Sequence, residues 1–140
     1  YPFFGPVLGS REPIVVGRSN PREDLVAVLE GGEARLKQGR SVIVFPQSTR
    51  SSVFDPAHFN TIGVKLAKRA GVPVIPVALK TDAWGNGNLL KDFGPVDVKK
   101  TIHFEFGAPM RIEGTGKAEH QQITEFIIDR LGVWGREIGE

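Results

Sequence analysis

The chain has 140 residues, 40 % hydrophobic and 24 % charged, with a formal net charge of +2 and a pI near 9.1. That is enough chain for one compact domain with a core of its own, and the balance excludes wholesale disorder. The lack of cysteine excludes disulfides and cysteine-based metal or nucleophile chemistry. No apolar run reaches the roughly 18 residues of a membrane span.

So mild a positive charge gives no reason to expect a nucleic-acid partner, although a local basic patch would suit anionic lipid or a phosphorylated ligand. The start, Tyr1-Pro2-Phe3-Phe4-Gly5-Pro6, has neither Met nor a signal-peptide pattern. It reads as the middle of a domain, so a piece of a longer chain is expected.

Pro13-Ile14-Val15-Val16 is a short apolar run, expected to be a strand ending at Gly17-Arg18. A helix start follows. Asn20 is a good N-cap, Pro21 suits the first helical position, and Glu23 has capping-box spacing. Leu25, Val28, Leu29 and Leu36 give an apolar stripe. The Gly31-Gly32 pair weakens its middle, and Gly39 is a C-terminal stop.

Residues 41–45 form a β-branched run, the mark of a buried strand. The run ends at Pro46, and hydroxyl residues and an arginine follow at once. Asp55-Pro56 is a second cap-plus-proline start, with the regular helix beginning near Asn60. Ile62, Leu66 and Ala70 share one face of it, and Gly71 ends it.

Val72-Pro73-Val74-Ile75-Pro76-Val77-Ala78-Leu79 is a third strand, and its two prolines predict an edge or irregular one. Residues 81–100 are loop-rich. Thr101-Ile102-His103-Phe104-Glu105-Phe106 alternates apolar and polar, as a half-buried strand does. That pattern places His103 on the outer face. A last helix is expected over 118–131, with Ile123, Phe126, Ile127 and Leu131 as its buried stripe.

This order predicts a single α/β domain over residues 1–140, with a mainly parallel sheet and crossover helices. Right-handed crossovers put the C-terminal ends of parallel strands on one edge, where open α/β sheets bind ligands. Topology therefore brings Arg18, Arg50 and Lys80 toward one rim. Lys80 reads more simply as a solvated strand end.

The remaining candidates have plainer readings. His58 and His120 are expected on the surface, and no histidine spacing suggests a structural metal. Gly114-Thr115-Gly116-Lys117 lacks the first glycine of a phosphate loop, and Ala118 stands where Ser or Thr is required. Gly85-Asn86-Gly87 is a turn. Phe3, Phe4, Trp84 and Trp134 read as aromatics of a core edge or terminus ahead of membrane contacts.

Phe45-Pro46-Gln47-Ser48-Thr49-Arg50-Ser51 resembles the Phe-Pro-Glu-Gly-Thr-Arg-Ser block of the glycerolipid acyltransferases, the family of bacterial lysophosphatidic acid acyltransferases. The run from Val72 to Ala78 resembles the family's later proline-containing strand block. Pro13-Ile14-Val15-Val16-Gly17-Arg18 is similar to its earlier one. The three blocks stand in the family's order.

The resemblance implies an acyltransferase that moves a fatty acyl group from acyl-CoA or acyl carrier protein to a hydroxyl of a glycerol phosphate or lysophospholipid. No other cofactor is implied. The work would be done at the cytoplasmic face of the membrane. Arg18 and Arg50 match the family's acceptor-phosphate arginines, suited to bidentate charge-assisted bonds. Gln47, Ser48, Thr49 and Ser51 would shape the loop, and residues 72–79 would help line the fatty-chain side.

Two departures stand out. Gln47-Ser48 replaces Glu-Gly, losing a charge and a free backbone position. The family's His-x-x-x-x-Asp, whose histidine is the general base, has no match. His58 is followed five positions on by Gly63 and His103 by Ala108, while His120 and Glu125 lie beyond every other block. No catalytic residue is therefore assigned in this chain, and the pair is expected before Tyr1. Two other readings are open: a non-catalytic relative that binds lipid or phosphate, and an unrelated α/β domain for a phosphorylated metabolite or nucleotide. Against the latter stands the lack of a glycine-rich phosphate loop.

Overall fold

The structure is a computed structural model and describes residues 14, 20–47, 53–81, 83, 85 and 94–135. In chain order these form helix α1 (Pro21–Lys37), a 3₁₀ turn (Pro56–His58), helix α2 (Ile62–Ala70), strands β1 (Val77–Lys80) and β2 (His103–Phe106), and helix α3 (Lys117–Val133). The architecture mixes helices with a small sheet, as an α/β chain does.

α1 starts where its cap dictates. Asn20 accepts from the Arg22 amide at 3.1 Å and donates to Glu23 Oε1 at 2.8 Å, so the first turn is closed by side chains. Glu23 and Asp24 at its start and Arg35 and Lys37 at its end suit the helix dipole. Gly31 and Gly32 do not interrupt it. A Cβ at Gly32 would lie 2.6 Å from Leu66 Cδ2, and one at Gly31 would lie 3.3 Å from Ile14 Cγ1. The pair gives up helix propensity, about 1 kcal/mol each, and gains a close seat for α1 against α2 and Ile14.

That seat is also pinned by charge. Glu33 bonds Lys37 Nζ at 2.8 Å and Arg69 Nε at 2.6 Å. These two hydrogen bonds, Lys37 first, hold the Glu33 carboxyl below its ordinary value of 4.5. A lowered carboxylate stabilises the fold above its unfolded-state pKa, and the contribution is lost as pH falls through the folded value. Urea midpoints of wild type and Glu33→Gln are therefore expected to differ at pH 7 and to converge as pH drops below about 4.5. A gap that does not narrow at all as pH falls would show that the contribution is not ionic.

α2 buries Val64, Leu66 and Ala67 and ends on Gly71, at φ 67°. Of the expected stripe Ile62, Leu66 and Ala70, only Leu66 is fully buried. The helix serves two neighbours at once: Leu66 faces α1, while Val64 faces Ile112 and Gly116 in the loop before α3. α3 keeps its expected stripe, with Ile123, Ile127 and Leu131 buried and Phe126 packed beside them. Phe54, Val64 and Ala78 complete this core.

The sheet differs from expectation in three ways. The described pair is antiparallel, with Val77 opposite Phe106 and Lys80 opposite His103. As its two prolines predict, strand geometry over 72–79 is irregular, confined to β1 and one bridge, Val74 to Met110. Pro73 and Pro76 have no amide to donate, which is why the ladder is broken there. Residues 41–45 join no ladder among the described residues, and Ile43 and Phe45 are 80 % and 76 % exposed. This segment is one-sided, with Val44 facing α2 at Gly63, and is not the doubly buried strand its composition predicts.

The third difference is that β2 is turned over. His103 faces α3, stacking on Trp134 at 5.0 Å between ring centroids, and Glu105 meets Arg130 at 3.5 Å. Phe104 and Phe106 point the other way and are exposed. The polar positions of the alternation face the helix because α3 offers Arg130 and an aromatic ring there. Lys80 is also not a solvated end: it is half-buried, and its Nζ donates to the Trp134 carbonyl at 2.7 Å. The core-edge reading of Trp134 holds, whereas His120 is half-buried and stacks on Phe59 at 5.6 Å.

Candidate functional site

The site expected from sequence is the loop after residue 45. Of its candidates, Gln47 lies among the described residues, half-buried at a bend. Ser48, Thr49, Arg50 and Ser51 lie outside the described residues, as does Arg18. The third cation assigned to the rim, Lys80, is engaged by the end of α3.

What the structure does show is how the loop is held at both ends. At its start, the Pro46 carbonyl accepts from the Asn60 amide at 3.3 Å and from Asn60 Nδ2. Asn60 Oδ1 in turn accepts from the Ile62 amide at 3.0 Å. One side chain therefore caps α2 and ties the loop to that helix's positive end, a placement favourable to a bound anion. Thr61, the residue next to the helix, makes no side-chain cap of its own.

At the other end Phe54 is buried. Its ring meets Phe59 edge-on at 5.6 Å, and Phe59 stacks on His120 of α3. Asp55 then caps the 3₁₀ turn, accepting from the Ala57 amide at 2.8 Å. Its other oxygen lies 2.5 Å from His58 Nδ1. The hydrogen bond with His58 is the main reason its carboxyl is held below the ordinary range. His58 is well exposed, as expected, and its contact with Asp55 explains this pair as a local turn lock.

Asn60, Phe54 and Phe59 are thus the residues that sequence reasoning missed. The asparagine before α2 was a legible signal, since Asn two residues before the first amide of a helix is a capping pattern. Its second bond, to a carbonyl fourteen residues earlier, has no local signature. Asn60→Ala is expected to lower stability by about 1–2 kcal/mol, the size of a lost cap and a lost side-chain bond to a carbonyl. Urea unfolding checks this; a change under a few tenths would mean that solvent replaces Asn60 at no cost.

Comparison with known proteins gives the constellation its setting. The family profile described as "Acyltransferase" matches residues 1–80, which contain every candidate site residue. A protein of Pseudomonas aeruginosa named 1-acyl-sn-glycerol-3-phosphate acyltransferase is 35 % identical over 115 residues, 82 % of this chain and 43 % of the relative. One of Cocos nucifera with the same name is 29 % identical over 101 residues, 71 % of this chain and 33 % of the relative. The chain thus spans less than half the length of these curated relatives. No solved structure matches it significantly. With the profile match covering more than half of its residues, the resemblance read from three short blocks becomes membership: this chain belongs to the acyltransferase family.

Proposed function

We propose that the protein containing this chain is an O-acyltransferase of phospholipid synthesis that transfers a fatty acyl group to the free hydroxyl of a lysophosphatidic acid or related glycerol phosphate. The observation that carries this reading is the block of residues 45–51, inside the region matched by the family, with the Pro46 carbonyl near its start bonded by the α2 capping residue Asn60. The names of the two relatives support the acceptor.

In this reading the acceptor hydroxyl adds to the thioester carbonyl of acyl-CoA or acyl carrier protein, the C–S bond breaks, and the thiol leaves protonated. The chain's own residues do the holding. Arg50 and Arg18 pair with the acceptor phosphate, Thr49 and Ser51 add hydroxyl donors, and Gln47 and Ser48 set the entry of the loop. The positive end of α2, joined to the loop through Asn60, adds to the same field. Fixing the acceptor in this way supplies proximity and orientation. The base that removes the hydroxyl proton is a histidine of a His-x-x-x-x-Asp pair outside residues 1–140.

The finer fold belongs to the same proposal: a mainly parallel sheet with crossover helices. So does work at the cytoplasmic face of a membrane. Among the described residues no helix is long and apolar enough to cross one, and the lipid acceptor is what places the protein there.

The test is transfer of labelled acyl groups from acyl-CoA and from acyl carrier protein to lysophosphatidic acid, using the gene-length product. Phosphatidic acid is the expected product, with monoacylglycerol a poor acceptor. Binding of lysophosphatidic acid without transfer from either donor would leave the non-catalytic relative as the better reading. That reading has one observation in its favour, Gln47-Ser48 in place of the family's Glu-Gly. The isolated 140-residue chain is expected to be inactive, and turnover by it would overturn the placement of the base.

A further inference from the structure

The two faces of the β1–β2 pair are unlike. Ala78, Lys80, His103 and Glu105 face α3. Ala78 is wholly buried, and the other three are engaged by Trp134 and Arg130. The opposite face is formed by Val77, Leu79, Phe104 and Phe106, as the alternation of side chains along paired strands requires, with Ile75 and Ile102 exposed next to the two strands in the chain. It carries no charge. The Phe104 and Phe106 rings touch each other edge-on at 4.9 Å, yet they remain 56 % and 64 % exposed.

Among the described residues the helices leave this face bare. α3 covers the Ala78 side. α2 joins the same core through Val64, and α1 follows through the contact of Gly32 with Leu66. A contiguous apolar surface of this kind on a sheet marks an interface.

We propose that this face is the seat of a second layer of the same polypeptide, encoded outside residues 1–140, which completes the acyltransferase domain. Two observations favour that occupant. More than half of the Pseudomonas relative, and two thirds of the coconut one, have no counterpart here, so the family has chain to place. The face is also uncharged throughout, in a protein nearly a quarter of whose residues are charged. That is the character of an intramolecular core rather than of a transient contact. Lys99 and Lys100 precede β2 in the chain, so a lipid surface is a separate outcome to be tested.

The cysteine-free sequence makes the test direct. Phe104→Cys, Phe106→Cys and Leu79→Cys are each introduced into the gene-length product and labelled with a small maleimide. Gln122→Cys, on the exposed side of α3, is the reference, and circular dichroism confirms folding of each variant. The three face positions are expected to react at least tenfold more slowly than position 122, at all protein concentrations and without lipid. Equal rates in a folded variant would overturn the proposal. So would protection that vanishes on dilution, which means a second copy, or protection that requires phosphatidylglycerol vesicles, which means a membrane. A gene product that ends with these residues would overturn it as well.

Discussion

Arg50→Ala is expected to raise the KM for lysophosphatidic acid about ten- to hundredfold while leaving transfer to an unphosphorylated monoacylglycerol unchanged. The size follows from removing one or two charge-assisted hydrogen bonds to phosphate, about 1.5–3 kcal/mol, at roughly 1.4 kcal/mol per tenfold. Arg50→Lys should recover part of the loss, since it restores the charge without the planar fork. If kcat falls instead and KM for the phosphorylated acceptor is unmoved, Arg50 does not hold the phosphate. If both acceptors lose equally, the substitution has disturbed the loop.

The largest expected effect on stability is at Gly116, where α3 begins. Its φ of 79° is costly for any residue with a Cβ, about 1–2 kcal/mol. A Cβ there would also lie 2.5 Å from Val64 Cγ1 and 3.0 Å from Ile112 Cγ2. Val64 is buried and β-branched, so its methyl has no alternative rotamer to take. Overpacking of this kind adds about 1–3 kcal/mol. Gly116→Ala is therefore expected to cost about 2–5 kcal/mol, or roughly 10 °C or more in Tm.

Gly114 is the internal control. It also has positive φ, 52°, but a Cβ there meets nothing within 4 Å. Gly114→Ala should show the backbone cost alone, about 1–2 kcal/mol. Equal losses in the two variants would mean that Val64 moves aside freely. Both substitutions are read by thermal and urea unfolding.

The helices were legible because their signals are local. Asn20-Pro21 with Glu23 starts α1, Gly71 ends α2, and the spacing of Ile123, Ile127 and Leu131 marks the buried side of α3. Each is decided within one or two turns of chain. The Gly31-Gly32 pair was misleading on the same scale: as local propensity it weakens α1, and only the approach of Leu66 and Ile14 explains it. The site was legible in composition, through the block of residues 45–51, but its anchors were not. The bond from Asn60 to Pro46 and the ring contacts from Phe54 through Phe59 to His120 join residues distant in sequence.

The sequence by itself determined the kind of chain this is. Its capping residues set the helices, its prolines broke the strand of residues 72–79, and its order of blocks carried the acyltransferase resemblance. Each of these is written in neighbouring residues. Which way β2 faces was decided only by tertiary structure. Alternation fixes that His103 and Glu105 share one side and Phe104 and Phe106 the other, but both arrangements satisfy it equally. The choice was made by α3, whose Arg130 and Trp134 bind the polar side and so turn the phenylalanines outward.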